Sequence, residues 1–354
     1  MLVSWSGLAI QSGRDQDEPI KLKTDLVTVT ARVTESSGKN LKSLNAADFR
    51  VFEDGVEQKI SHFAATEEPF SVLLLLDVSG STKPEIELMK RAAARFLDEL
   101  RKSDRVGVMV FSRQISLLAD IGAPRPHAEA AINFLATPAG DLEHRFNTNT
   151  GTSFYDALFE AAQNTRLRKN EGRKAIVCMS DGVDSTSKRM FRDVAPAVER
   201  SDSSVYFLEL NTEEATLEGL LKPESDQDFI NLSTSQLNRY FEERDPESPM
   251  RGLGRDQISQ LVLRDINAGL YDIARKELRS VAERTGGRVY PVKTLDELKE
   301  VYKQIADDLR SQYSLGYYPA NSSRDGNWRE IRVEVKRPGA IVQARSGYWA
   351  GGHH

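Results

Sequence analysis

The chain contains a single cysteine, Cys178, so an intramolecular disulfide or a cysteine-built zinc site cannot form. Within "AIVCMSD" that thiol reads as a small apolar residue of a buried strand. Histidines are few: His62, His127, His144, His353 and His354, scattered apart from the terminal pair, so no His-rich metal site is suggested. No apolar run approaches the ~20 residues needed to cross a bilayer. The net charge of −5, with no basic run carrying interleaved aromatics, excludes a nucleic-acid surface as the main business; neutralising phosphates needs clustered Lys and Arg. There is no G-x-x-x-x-G-K-[ST] loop for nucleotide phosphates and no G-x-S-x-G nucleophile elbow.

What is present describes a soluble globular chain. Hydrophobic residues make up 39% and charged residues 29%, both ordinary for such proteins. A length of 354 residues suggests about two domains and leaves room for a sizeable core. The start, "MLVSWSGLAIQSG", reads either as the rear half of a secretion signal without its basic front or as a disordered leader over residues 1–19.

Three patterns follow one another. Over residues 20–69 the period is two: Val27, Val29, Ala31 and Val33 alternate with Thr28, Thr30 and Arg32, the mark of a strand with one buried face. "FRVFEDGVEQKISHF" reads as two strands around an Asp54-Gly55 turn. Over residues 70–310 short apolar runs ("SVLLLLD", "RVGVMVFS", "KAIVCMSD", "SVYFLEL", "GRVYPV") alternate with helical stretches. In "PEIELMKRAAARFLDEL", Ile86, Met89, Ala93, Phe96 and Leu100 recur at helical spacing and Pro84 suits the first turn. "SFYDALFEAAQNTRL", "FRDVAPAVERS" and "TLDELKEVYKQIADDL" read as further helices, and "QISLLADI" as an antiparallel edge strand. Alternating strands and helices imply an α/β fold with a doubly wound, mostly parallel sheet. From residue 311 to 350 period two returns in "YSLGYY", "REIRVEVKR" and "AIVQARSGYW". A small β-unit is unstable alone, so the two ends are expected to form one discontinuous β-sandwich, residues 20–69 plus 311–350, into which the α/β domain is inserted. Two separate β-units are the alternative. More than seventy residues separate the last two parallel strands, longer than a crossover needs, and residues 212–286 read as a helical insertion or lid.

One stretch carries chemistry. "LLLLDVSGSTKPE" runs from a buried strand into Asp77, Ser79 and Ser81. Alternate residues of an extended segment point the same way, so one carboxylate and two hydroxyls converge. Hard oxygen ligands of this kind suit Mg²⁺ or Mn²⁺. "NTNTGTSFYDAL" presents Thr152 before a helix, and "CMSDGVDS" presents Asp181 at the end of an apolar strand. In a doubly wound sheet, ligands bind beyond the carboxyl ends of the strands, where the strand order switches. If those two strands are neighbours there, Asp77 and Asp181 face one crevice, and a cation resolves their repulsion.

Asp77, Ser79, Ser81, Thr152 and Asp181, in this order and context, resemble the metal-ion-dependent adhesion site of von Willebrand factor A domains. The likeness covers about residues 70–310, apart from the insertion. "DFRVFEDGVEQKISHF" and the closing "YSLGYYP", "WREIRVEVKR" and "ARSGYW" extend it to the bacterial von Willebrand factor A-related family of acidobacterial type. The resemblance implies that Ser79 and Ser81 bind a divalent cation (Mg²⁺, or Mn²⁺ or Ca²⁺) directly, Thr152 directly or through water, and Asp77 and Asp181 mostly through water. It further implies a non-enzymatic adhesion-type module, secreted or at the cell envelope, whose metal offers an open position to an acidic side chain of a protein partner. Two other readings stand beside it: a structural subunit of an envelope assembly with a stabilising metal, and a Mg²⁺-dependent hydrolase. Against the hydrolase, Ser79 stands where phosphatases of the haloacid dehalogenase type carry the second carboxylate of D-x-D-x-[ST], and no histidine adjoins the ligand segments. D-x-S-x-S by itself is also a plausible helix cap. Asp156, Asp184 and Ser185, close in sequence to the set, are of a kind that more often caps or bonds within loops.

Overall fold

The computed structural model describes residues 26–65, 69–82, 85–135, 151–169, 172–226, 230–254, 257–292 and 294–351. The leader over residues 1–19, Pro84, His144, the "NTNT" before Gly151 and the terminal histidines lie outside the described residues.

The central sheet forms because its apolar runs, all but the edge run "GRVYPV", have no polar face to offer water. Its strands are β5 (Phe70–Asp77), β6 (Arg105–Phe111), β7 (Ile115–Ala119), β8 (Arg173–Ser180), β9 (Ser204–Leu210) and β10 (Arg288–Val292), in the order β10-β9-β8-β5-β6-β7. The pairs are parallel except for the antiparallel edge strand β7. All eight residues of β5 are buried, and its leucines divide between the faces as a period of two requires. Leu74 and Leu76 join one core layer with Met89 and Phe96 of α1 (Ile86–Glu99) and Ile305 of α9 (Leu295–Arg310). Leu73 and Leu75 join the other, with Leu158 of α3 (Phe154–Ala162), Val198 of α5 (Phe191–Glu199) and Leu278 of α8 (Gln260–Thr285). The remaining helices are α2 (Arg125–Phe134), α4 (Thr165–Lys169), α6 (Glu213–Leu221) and α7 (Thr234–Arg244).

Two helical readings need adjustment. "SFYDALFEAAQNTRL" is two helices, α3 and α4, because the Asn164 side chain accepts Leu167 N–H at 2.9 Å and caps a new turn. Within residues 212–286 the long helix α8 begins after Ser259, whose hydroxyl accepts from Val262 N–H, and closes on Gly286 in the left-handed region at φ 76°. Residues 212–286 are not all insertion either, since α8 belongs to two cores. Its carboxyl half brings Leu278, Val281 and Ala282 to the sheet and serves as the crossover. Its amino half packs Leu263, Ile266 and Leu270 against Leu220, Leu237 and Phe241 of α6 and α7.

The chain ends interleave. One antiparallel sheet has the order β13-β1-β11-β4 and another β14-β12-β2-β3. β1 is Val27–Thr34, β2 Phe49–Glu53, β3 Val56–Gln58, β4 Ile60–Ala64, β11 Tyr313–Tyr317, β12 Trp328–Val335, β13 Ile341–Ala344 and β14 Gly347–Trp349. Val29, Val33, Phe49, Val51, Leu315 and Ile331 share one core between the sheets. Neither end could bury these faces alone. The Asp54-Gly55 turn joins β2 to β3, but "VEQKISHF" is not one strand. It breaks at Lys59, and β4 crosses to pair with β11 in the opposite sheet. "AIVQARSGYW" divides likewise into β13 and β14.

The sandwich grips the edge of the α/β domain where the parallel strands begin. Arg32 of β1 pairs with Asp308 of α9 at 2.8 Å, their side chains 9% and 4% exposed, and Tyr290 donates to the same carboxylate at 3.1 Å. Trp349 donates to Glu199 at 3.1 Å, and Arg284 pairs with Glu199 at 2.8 Å. Burial raises the Asp308 carboxyl and Arg32 opposes that rise. Removing one member of such a pair strands the other charge, whereas replacing both is nearly neutral. Arg32→Met is therefore expected to lose about 3–5 kcal/mol of unfolding free energy in urea titrations, with most of it recovered in Arg32→Met/Asp308→Leu. Equal losses in the single and double variants would contradict this placement of the pair.

Candidate metal centre

Paired parallel strands end together, and that brings the carboxylates to one place. β5 and β8 are neighbours through to Leu76 opposite Met179. β5 also borders β6, so the strand order reverses here and leaves a crevice past the carboxyl ends. Asp77 closes β5, and Asp181 follows the last residue of β8. They are 0% and 2% exposed.

The loop after β5 is pinned from below. Thr82 Oγ1 donates to the carbonyls of Asp77 (2.8 Å) and Ser79 (3.1 Å), and Val78 N–H donates to Phe111 O across β6. Asp77 Oδ1 accepts Ser79 N–H at 3.0 Å, the turn that Asp favours. Its Oδ2 accepts Ser180 Oγ at 2.6 Å. Ser79 and Ser81 hydroxyls lie 3.3 Å apart, and Ser81 donates to Asp181 Oδ2 at 3.1 Å. Asp181 Oδ1 accepts Val183 N–H at 2.9 Å. Gly182, between them, is left-handed at φ 74°, and a Cβ there would stand 3.0 Å from Leu278 Cδ1. The tight turn after Asp181 therefore suits glycine.

Four of the five sequence-predicted ligands are thus joined by hydrogen bonds. The fifth, Thr152, is held through its backbone. Its N–H donates to Ser185 Oγ at 2.7 Å, and its carbonyl accepts Ser185 and Thr186 N–H at 2.9 and 3.0 Å. Ser185 therefore anchors the Thr152 loop to the loop that follows Asp181. Asp184 takes Ser187 Oγ at 2.5 Å and Tyr155 N–H at 3.3 Å, and burial pushes its carboxyl up to about 6. Asp156 binds Lys188 N–H and the Arg189 guanidinium, both at 2.8 Å. These two acids tie loops to α3 and do not touch the carboxylate pair.

The helical insertion stands at the same edge. Thr212, just past β9, donates to Asp181 Oδ2 at 2.5 Å, and the Tyr271 hydroxyl of α8 lies 3.5 Å from that oxygen. Ser233 donates to Ser185 O at 2.8 Å. Arg239 of α7 pairs with Glu277 at 2.5 Å, and Tyr155, in the first turn of α3, donates to the same carboxylate at 2.8 Å. Ser180, Thr212 and Tyr271 were not among the candidates read from sequence. Thr212 had a usable signal, its place just beyond a parallel strand. Tyr271 had none, because at core spacing on a long helix it looks like packing.

Among the described residues no Lys or Arg pairs with Asp77 or Asp181. The carboxylates are answered only by hydroxyls and backbone N–H groups. Two charges so buried stay ionised only beside a positive partner. Burial, then the nearby Asp181, pushes the Asp77 carboxyl up to about 7, with Ser180 and Ser79 opposing; burial raises Asp181 as well. This donor set fits a small hard divalent cation. The described residues hold no cluster of three or more His, Cys, Asp or Glu, as a softer or all-carboxylate site would need.

A doubly wound domain with carboxylates and hydroxyls at its switch crevice is the class defined by fold and site. Residues 72–183 match the family model described as von Willebrand factor type A domain, a span that includes all five candidate ligands. No curated protein sequence matches the chain. Among solved structures it is similar to the conserved hypothetical protein BatB from Bacteroides thetaiotaomicron, at 19% identity and TM-score 0.43, covering 68% of this chain and 100% of that one. A von Willebrand factor type A protein from Catenulispora acidiphila gives 13% identity and TM-score 0.40, over 92% of this chain and 63% of that one. Proximal thread matrix protein 1 of the mussel byssus, described with a zinc-occupied MIDAS motif, gives 13% and 0.42, over 69% and 48%. Likenesses this distant decide nothing about function.

The raised Asp77 carboxyl has a consequence for the metal-free chain. Its folded value lies above the ordinary 3.8, so the folded state keeps a proton that the unfolded state gives up. Its contribution to stability is therefore lost as pH rises from about 4 to about 7. In excess chelator, the wild type is expected to lose more thermal stability across that window than Asp77→Asn, and Mg²⁺ is expected to abolish the difference. Parallel pH profiles for the two proteins would rule this electrostatic assignment out.

Proposed function

We propose that this protein is a non-enzymatic, divalent-cation-dependent protein-binding module, secreted or at the cell envelope, whose partner presents an acidic side chain. Von Willebrand factor type A domains are generally protein-interaction modules. One observation carries the finer reading: Asp77 and Asp181 are buried at the crevice, the described residues offer them no positive partner, and neutral hydroxyls adjoin them. Ser79, Ser81 and Thr152 would hold the cation through hydroxyl oxygens, with Asp77 and Asp181 supplying charge at or behind them. When bound, a cation such as Mg²⁺ supplies positive charge with a coordination position open to an outside carboxylate. The Ser81 hydroxyl donates its hydrogen bond to Asp181, which leaves oxygen lone-pair density to face the cation. With neutral ligands nearest, the site keeps its attraction for an anion. The helix α3 begins at Phe154, two residues after Thr152, and adds its amino-end dipole.

The described histidines give no base for hydrolysis, since His62 lies on β4 of the sandwich and His127 on α2. If the metal were only structural, Mg²⁺ would raise the thermal midpoint without promoting any association. The deciding experiment is a pull-down from envelope extract with and without Mg²⁺, run beside Asp77→Ala. A partner retained only by the wild type with Mg²⁺ is expected. Equal retention by both proteins, or in chelator, would sink the proposal.

A further inference from the structure

We infer that Thr212 and Tyr271, contributed by the helical insertion, are positioning residues that keep Asp181 from binding the cation directly and so preserve an open coordination position. The inference rests on the reading of Asp77, Ser79, Ser81, Thr152 and Asp181 as a cation site.

A carboxylate oxygen offers about two acceptor sites. Asp181 Oδ2 already takes Thr212 Oγ1 at 2.5 Å and Ser81 Oγ at 3.1 Å, with Tyr271 OH at 3.5 Å. Its Oδ1 is engaged by Val183 N–H at 2.9 Å. Oδ1 keeps one acceptor site, but Oδ2, the oxygen that takes the Ser81 hydroxyl, reaches a cation at bonding distance only by giving up one of these donors. Asp77 is held more lightly, by Ser180 Oγ and Ser79 N–H, and no residue of the insertion touches it among its hydrogen bonds.

Thr212 is placed as if for this task. It is the N-cap residue of α6, yet its hydroxyl makes no capping bond and turns to Asp181. A Thr at that position ordinarily accepts from the helix's own N–H groups. Tyr271 is 3% exposed, and its hydroxyl lies 2.7 Å from Thr212 Oγ1 and 2.9 Å from Thr216 Oγ1. The two helices that present these hydroxyls are braced. Asn267 donates to Glu213 O at 3.1 Å, and Arg275 joins Glu209 at 3.1 Å and Glu213 at 2.5 Å. The pair of hydroxyls therefore cannot follow Asp181 if it swings toward a cation.

The alternative is that the hydroxyls merely solvate a buried charge. Then their removal would disorder Asp181 and weaken cation binding, as loss of outer-shell partners ordinarily does. The positioning role predicts the opposite. An Asp181 released to bind directly adds a charged ligand, which tightens the cation and displaces a water.

The test uses the full chain stripped with chelator and Mn²⁺ alone as probe. Free Mn²⁺ is followed by electron paramagnetic resonance, and the exchangeable waters on bound Mn²⁺ are counted by water-proton relaxation. Thr212→Val/Tyr271→Phe keeps both shapes and removes both donors. Thr216→Val is the control, because its hydroxyl contacts Tyr271 and not Asp181. The double variant is expected to bind Mn²⁺ about threefold or more tightly than wild type with about one bound water fewer, while Thr216→Val matches wild type. Weaker binding by the double variant, or an unchanged water count, would overturn the inference. A wild type that binds no Mn²⁺ would overturn the cation site itself and this inference with it.

Discussion

Two carboxylates buried at the ends of adjacent parallel strands impose the condition that the rest of the crevice answers. Hydrophobic burial of β5 and β8 fixes the strands, and pairing fixes their ends side by side. Asp77 and Asp181 are carried there whatever their mutual repulsion. The surrounding chain supplies hydroxyls and amide N–H groups: Ser79, Ser81 and Ser180 from the strand ends, and Thr212 from the insertion. Such donors soften the desolvation of a carboxylate but cannot cancel its charge. On the proposed reading, a cation from outside the chain supplies the charge that these donors lack.

The remaining architecture places this edge at one pole and the β-sandwich at the other. Arg32–Asp308 and the Glu199 cluster with Arg284 and Trp349 sit where the parallel strands begin. The helix α8 joins the two poles. Tyr271 stands beside Asp181, and some thirteen residues on, about 20 Å along the axis, Arg284 meets Glu199 and accepts Ser346 N–H through its carbonyl. One continuous helix therefore touches both the sandwich contact and Asp181. The same helix supplies the crossover and the core of the insertion, which explains why the segment between β9 and β10 is long yet ordered around one element.

Much of this was legible in the residues because it rests on periodicity. "LLLLD" announces a strand buried on both faces, and the leucines divide between the two core layers as alternation demands. Asp77 and Asp181 could be read because a strand end fixes where its last side chain goes. The sheet exchanges at Lys59 and between Ala344 and Gly347 were not legible, since period two continues across such breaks and does not say which sheet a strand joins. The division of α3 from α4 was hidden because Asn164 caps within a stretch that is helical on either side. Tyr271 was hidden for a different reason. It is 90 residues from Asp181 in sequence, and only the packing of α8 on the insertion brings them together.

The measurement that bears most directly on the central claim is calorimetric titration of Mg²⁺ into the chelator-stripped chain, with Asp77→Ala alongside. Binding of one ion per wild-type chain, absent in the variant, is what two unanswered carboxylates in one crevice predict. No binding to the wild type, or equal binding by Asp77→Ala, would contradict it.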